Sequence, residues 1–209
     1  LKYKNILFDL DGTLIDSAPG IELSFRYAYK IIYKKDCPIS LIPLIGPPID
    51  QVLTNVNGEI NLKTKSQFLD VFKEHYDQFG YKNTLLYNGV KEVLGQLAKK
   101  KMCVFIATNK RIKPTKLILE YFAINKFFNK VYCPDSEEVK FQNKTELISY
   151  IIKSKSLKLI DTLMVGDTIH DGIAANKNKI DFTLVEYGYG QYENCKYKLQ
   201  NINQLINIL

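Results

Sequence analysis

An apolar run, Ile6-Leu7-Phe8, ends in Asp9-Leu10-Asp11-Gly12-Thr13, and the spacing of its two acids is the first sign of chemistry in the chain. A central parallel strand reads as a near-continuous apolar run, so Asp9 and Asp11 belong at its mouth rather than inside it. Residues two apart in extended chain point to the same side, so both carboxylates can face one point. Held that close, they repel unless one carries a proton or a cation lies between them. Gly12 lets the backbone turn away sharply. The bland alternative is a turn in which the acids only punctuate the backbone.

Other polar residues follow apolar runs in the same way. One run ends in Thr108-Asn109-Lys110 and another in Gly166-Asp167-Thr168-Ile169-His170-Asp171, while Lys144 stands just before an apolar helical stripe. In open parallel sheets, ligands bind beyond the carboxyl ends of the strands. Gathered there, Asp9, Asp11, Asp167 and Asp171 with Thr108 and Lys144 suit a hard cation together with an anion. Magnesium takes oxygen ligands and shares its shell with substrate phosphate. The cation and Lys144 would leave one negative charge over, which a proton on Asp11 would remove, so a phosphate dianion is acceptable.

These residues need elements to hold them. Residues 16–85 read as helical throughout. Ser17 caps a first helix with Pro19 in its first turn and Ile21, Phe25, Ala28 and Ile32 on one stripe. Pro38, Pro43, Pro47 and Pro48 break the chain before a short helix bearing Ile49, Val52, Leu53 and Val56. A longer helix carries Phe68, Phe72, His75 and Phe79, the histidine as a packing residue. From Leu86 the texture alternates between helix and strand, with strands at Met102–Ala107, Val131–Cys133, Thr162–Val165 and Phe182–Val185. Ile202, Leu205, Ile206 and Leu209 predict a closing amphipathic helix. Alternation of this kind predicts an α/β fold with parallel strands and right-handed crossovers. The domain would comprise residues 1–15 and 86–209, with 16–85 inserted just after the acidic turn.

Size and composition narrow the function classes. The 209 residues, 46% hydrophobic and 24% charged, suit one globular domain carrying an insertion. No apolar run approaches the roughly 20 residues a membrane helix needs, and the acids interrupt any secretory signal, so a cytoplasmic protein is expected. Cys37, Cys103, Cys133 and Cys195 form no C-x-x-C pair; Cys103 and Cys133 are expected to be buried, inert thiols. The net charge of +7 is almost all lysine, with Arg26 and Arg111 the only arginines. Base reading favours arginine, so no nucleic acid is expected, and the positive field suits small phosphorylated metabolites. No exposed apolar helix demands a partner, which predicts a monomer or weak homodimer.

Taken in order, the motifs resemble those of the haloacid dehalogenase superfamily, in the branch similar to phosphoglycolate phosphatases and β-phosphoglucomutases. Its D-x-D-G-T stands as Asp9 to Thr13, its strand-ending Thr as Thr108, and its G-D-x-x-x-D as Gly166 to Asp171. The resemblance implies a Rossmann-like parallel sheet with an inserted all-helical cap. It also implies attack by Asp9 on phosphorus, with Asp11 protonating the leaving alcohol and then deprotonating water. Mg2+ would be held by Asp9, the carbonyl of Asp11 and Asp167, with Asp171 acting directly or from behind. Thr108 and Lys144 would hold phosphate oxygens, assisted by backbone N–H groups at Gly12 and Asn109.

The resemblance is incomplete. Lys144 is followed by Thr145 where the family has proline, and Lys140 is a competitor; the helical stripe beginning at Leu147 favours Lys144. The Ala-Gly that commonly precedes an apolar residue is missing before Ile180, so that helix must end through Asn178 or under strain. Gly46-Pro47-Pro48 resembles the family's substrate-specificity loop in the cap, Arg26 on the first cap helix could reach an anionic substrate, and His170 reads as a solvated residue among acids. The expected function is a magnesium-dependent phosphatase working through an aspartyl-phosphate. The alternatives are a phosphomutase of the β-phosphoglucomutase type and a catalytically silent binding module. The acid at Asp11 argues against dehalogenation.

Overall fold

The structure, a computed structural model, describes residues 2–41 and 48–209. The chain divides into two compact units, Leu1–Asp16 with Leu86–Leu209, and Ser17–Leu85.

In the larger unit the apolar run becomes β1 (Asn5–Phe8), buried at all four residues because parallel strands lie on either side. Two-residue strands β2 (Ile15–Asp16) and β3 (Leu85–Leu86) stand where the chain leaves and re-enters this unit. Then follow α4 (Val90–Lys99), β4 (Cys103–Ala107), α5 (Ile112–Tyr121), β5 (Lys130–Tyr132), β6 (Thr162–Gly166), β7 (Asp181–Val185) and β8 (Tyr197–Leu199). The sheet order is β5-β4-β1-β6-β7-β8, parallel at every pairing. Chain order runs one way from β1 to β5, then resumes at β6 on the other side of β1. That reversal is a topological switch point, where the crevice beyond the carboxyl ends is open to a ligand. On one face, Leu7, Phe105 and Met164 pack with Leu147, Ile148 and Ile151 of α6 (Lys144–Ser154) and with Ala174 and Ala175 of α7 (Ile169–Lys177).

Three local expectations differ from the structure. The closing segment is a 3-10 helix, Ile202–Asn207, rather than an α-helix, and it buries Ile202 and Leu205. Cys103 is exposed, as the first residue of β4 at the amino end of that internal strand, whereas Cys133 is buried. Strand β8 was not expected: Tyr197-Lys198-Leu199 lines an edge and buries only Leu199. The end of α7 answers the missing glycine: Lys179 takes a left-handed φ of 57°. The amide of Asn178 donates to the Ala174 and Thr145 carbonyls at 2.8 and 3.0 Å.

The smaller unit contains α1 (Ala18–Tyr33), α2 (Ile49–Asn57), α3 (Leu62–Gln78) and a 3-10 turn at Gly80–Asn83. Its core joins Phe25 and Tyr29 of α1 to Val52 and Leu53 of α2 and to Phe68, Phe72 and Tyr76 of α3. His75 is a packing residue, stacked on Tyr27 with Nδ1 3.0 Å from Ser24 Oγ. A second stripe on α1, Leu23, Tyr27 and Ile31, remains exposed. Among the described residues, no helix is long and apolar enough to cross a membrane.

Candidate active site

Register brings the acids together. Phe8 pairs with Ile106 of β4 and Val165 of β6, so Asp9, Thr108 and Asp167 leave adjacent strands at the same edge. The Asp9 N–H still donates to the Val165 carbonyl at 2.9 Å, which anchors its backbone. Beyond it the chain folds into a tight turn, with Gly12 N–H on the Ile15 carbonyl at 2.8 Å and Leu14 N–H on Leu10 at 2.9 Å. Gly12 has φ of +77°, and a Cβ there would lie 2.0 Å from Asp167 Oδ2. Glycine is thus required both by conformation and by the approach of the neighbouring acid.

Asp9, Asp167 and Asp171 are buried, and each can offer a carboxylate oxygen within 4.8 Å of the others. Lys144, the first residue of α6, reaches into this cluster: its Nζ lies 2.8 Å from Asp9 Oδ1 and also bonds Asp171 Oδ1. Asn143 caps that helix, accepting from Glu146 N–H at 3.0 Å, while Glu146 accepts from Gln142 N–H at 2.9 Å. Those bonds set where the helix starts, and hence where Lys144 points. Lys140 is exposed.

Each acid has its own support. Asp171 Oδ2 accepts from Thr168 N–H at 2.9 Å and from its hydroxyl at 2.7 Å, so both its oxygens are engaged. Asp167 accepts from the Thr13 hydroxyl at 3.3 Å and from Tyr189 N–H at 2.7 Å. Asp11, less buried, accepts from Lys110 Nζ at 2.8 Å. Thr108 is buried, and its Oγ1 accepts from Lys110 N–H at 3.2 Å, which leaves the hydroxyl proton to be donated elsewhere.

Burial raises the Asp9 carboxyl to about 7; Lys144 opposes the shift, while Asp171 and Asp11 add to it. Burial likewise raises Asp167 to about 8, with Asp9 and Asp171 as further causes. Burial disfavours the Lys144 ammonium, but Asp171 and Asp9 outweigh it and hold the group above the ordinary lysine range. The three carboxylates have the Lys144 ammonium on only two of them, and a hard divalent cation with a preference for oxygen fits the donor set. The single negative charge left over in the sequence reading meets a counter-ion that reading did not assign, Lys110.

The other expected residues fall outside this cluster. Asn109 and His170 are exposed at the same sheet edge. Arg26, in the helical unit, pairs with Glu22 at 2.8 Å and donates to the Cys37 and Ile39 carbonyls. Gly46 and Pro47 lie outside the described residues. Sequence reasoning missed the loop after β7, where the Tyr187 hydroxyl donates to the Thr13 carbonyl and the Tyr189 hydroxyl to Asp16 Oδ1, both at 2.8 Å. The available signal was position: Tyr187-Gly188-Tyr189-Gly190 follows a strand ending at the same edge.

Residues 6–185 match the model of the haloacid dehalogenase-like hydrolases. A 5'-nucleotidase of Pseudomonas aeruginosa is 28% identical, over 94% of this chain and 88% of its own. A phosphoglycolate phosphatase of Vibrio vulnificus is 31% identical, over 91% and 86%. The solved structure of a predicted phosphatase from Clostridium acetobutylicum superposes with TM-score 0.85 at 28% identity, covering 99% of each chain. With a family model matched over most of its length and a phosphatase relative at 31% identity, the chain belongs to the haloacid dehalogenase-like hydrolases and is a phosphatase-type member of that family.

Proposed function

We propose that the chain hydrolyses a small phosphorylated metabolite, phosphoglycolate-like or a sugar phosphate, with magnesium as cofactor and an aspartyl-phosphate on Asp9 as intermediate. The observation that carries this reading is the buried Asp9 carboxylate, held by the Lys144 ammonium at 2.8 Å beside Asp167 and Asp171. A carboxylate so fixed is a poised nucleophile. An Asp9 oxygen bonds to phosphorus as the ester P–O bond breaks, and Asp11 gives its proton to the departing alkoxide. Water then attacks phosphorus, Asp11 takes a proton from it, and the bond to Asp9 breaks to free inorganic phosphate. The Thr108 hydroxyl and the Lys144 ammonium hold the phosphoryl oxygens as charge builds on them.

Asp9, Asp167 and the Asp11 carbonyl are the residues that would hold the cation. Asp171, with both oxygens engaged, works from behind by holding Lys144. The bound ion supplies the positive charge that lets a phosphate dianion approach a carboxylate. The helical unit Ser17–Leu85, inserted directly after the acidic turn, takes the part of the cap that selects the leaving group. The four unpaired cysteines suit a reducing cytoplasm.

The test is a phosphate-release screen with magnesium against phosphoglycolate, sugar phosphates and nucleoside monophosphates. Release by the natural chain, abolished in Asp9→Asn, is the expected result. Undiminished release from Asp9→Asn would remove Asp9 as nucleophile, and conversion of a hexose 1-phosphate to its 6-phosphate without free phosphate would mark a mutase.

A further inference from the structure

We infer that Lys110 is a positioning residue for Asp11, deciding which oxygen of that carboxyl handles the proton. The inference rests on the phosphatase reading above, in which Asp11 serves the leaving group. Lys110 and Asp11 are 99 residues apart in sequence, yet Nζ lies 2.8 Å from Oδ1, and the lysine side chain is only 9% exposed. The lysine is fixed at its other end too, because its N–H bonds Thr108 Oγ1 at the end of β4. The Asp11 backbone is held by the turn, through its bridge to Ile15.

A carboxyl group has two oxygens, and its terminal torsion is broad, so an unrestrained aspartic acid can present either one. An ammonium group only donates. Lys110 donates to Oδ1, and the carbonyl oxygen of a carboxylic acid accepts better than its hydroxyl oxygen, so the ammonium favours Oδ1 as the carbonyl and Oδ2 as the oxygen that carries the transferable proton. When Oδ2 passes its proton to the alkoxide, the new carboxylate charge forms beside an ammonium already in place. That interaction is stronger in the transition state than before it, which is the condition for accelerating the step. The hydroxyl of Thr108 and the ammonium of Lys110 thus share one strand end, the first aimed at phosphate and the second at the acid. Lys144 does the equivalent for the nucleophile.

A residue that orients the acid matters when the leaving group needs a proton and little when it does not. The experiment compares kcat/KM, which reports the step that expels the leaving group, for 4-nitrophenyl phosphate and for the best alkyl phosphate of the screen. Lys110→Met is expected to lose about 100-fold or more on the alkyl ester and less than about tenfold on the aryl ester. Lys110→Arg, again donor only, should recover most of the alkyl activity. Lys110→Gln, whose amide also accepts, should show the same selective loss in smaller measure, and it replaces Lys110→Met if that variant fails to fold. Equal losses on the two esters, or no loss on either, would overturn the inference. If the natural chain hydrolyses neither ester with magnesium, the phosphatase reading itself falls first.

Discussion

Lys144 shows how one side chain can be placed by its surroundings. It meets Asp9 and Asp171 while almost fully buried, and removing the ammonium would leave those buried carboxylates uncompensated and phosphate oxygens without a cation. Lys144→Ala is therefore expected to lower kcat/KM by about 100-fold or more, whereas Lys140→Ala, at an exposed site, should leave it within about twofold. The reverse result, read in the phosphate-release assay, would move the phosphate-binding role to Lys140. The acids make a second expectation. Asp9 and Asp167 are raised by burial to about 7 and about 8, so the folded, ion-free chain keeps protons that the unfolded chain has already lost. Those two groups therefore favour the fold at low pH, and that contribution is lost as pH rises from about 4 through about 8. A cation must displace the same protons, so it binds more tightly once they are gone. Magnesium should raise the melting temperature more at about pH 8.5 than at about pH 6, measured by differential scanning fluorimetry at constant ionic strength. An equal or smaller rise at the higher pH would contradict the placement of the cation among these carboxylates.

Elements decide how closely such side chains can approach. The turn after β1 brings Gly12 against Asp167, with φ of +77° and room for no Cβ. Gly58, at φ of +73°, has nothing within 4 Å of the same added atom. Gly58→Ala should then cost only the strain of its glycine-only backbone region (φ 73°, ψ −152°), about 1–3 kcal/mol, while Gly12→Ala adds displacement of Asp167 and should cost about 2 kcal/mol more. Thermal unfolding of the two variants separates these terms, and equal losses would deny that Asp167 crowds the turn. Strands such as β1 and β6 were legible because burial on both faces forces an unbroken apolar run. Strand β8 was not, since a three-residue edge strand has one dry face and carries no such run. The closing segment shows the same limit: apolar residues three apart fit both a 3-10 and an α-helix, and neighbouring packing selects between them.

At the scale of the whole molecule, the family match from residue 6 to residue 185 spans both units. The excess of positive charge is spread over lysines, while Asp9, Asp167 and Asp171 gather at one sheet edge. The sequence by itself determined the α/β class, the inserted helical block and the strand ends at which Asp9, Asp11, Thr108 and Asp167 stand. It could do so because periodicity and burial are local properties that each stretch of chain records. Only the tertiary structure decided that Lys144 rather than Lys140 meets Asp9, that Lys110 pairs with Asp11, and that the Tyr189 backbone holds Asp167. Those meetings depend on strand register and on where loops return, across separations that no local pattern encodes.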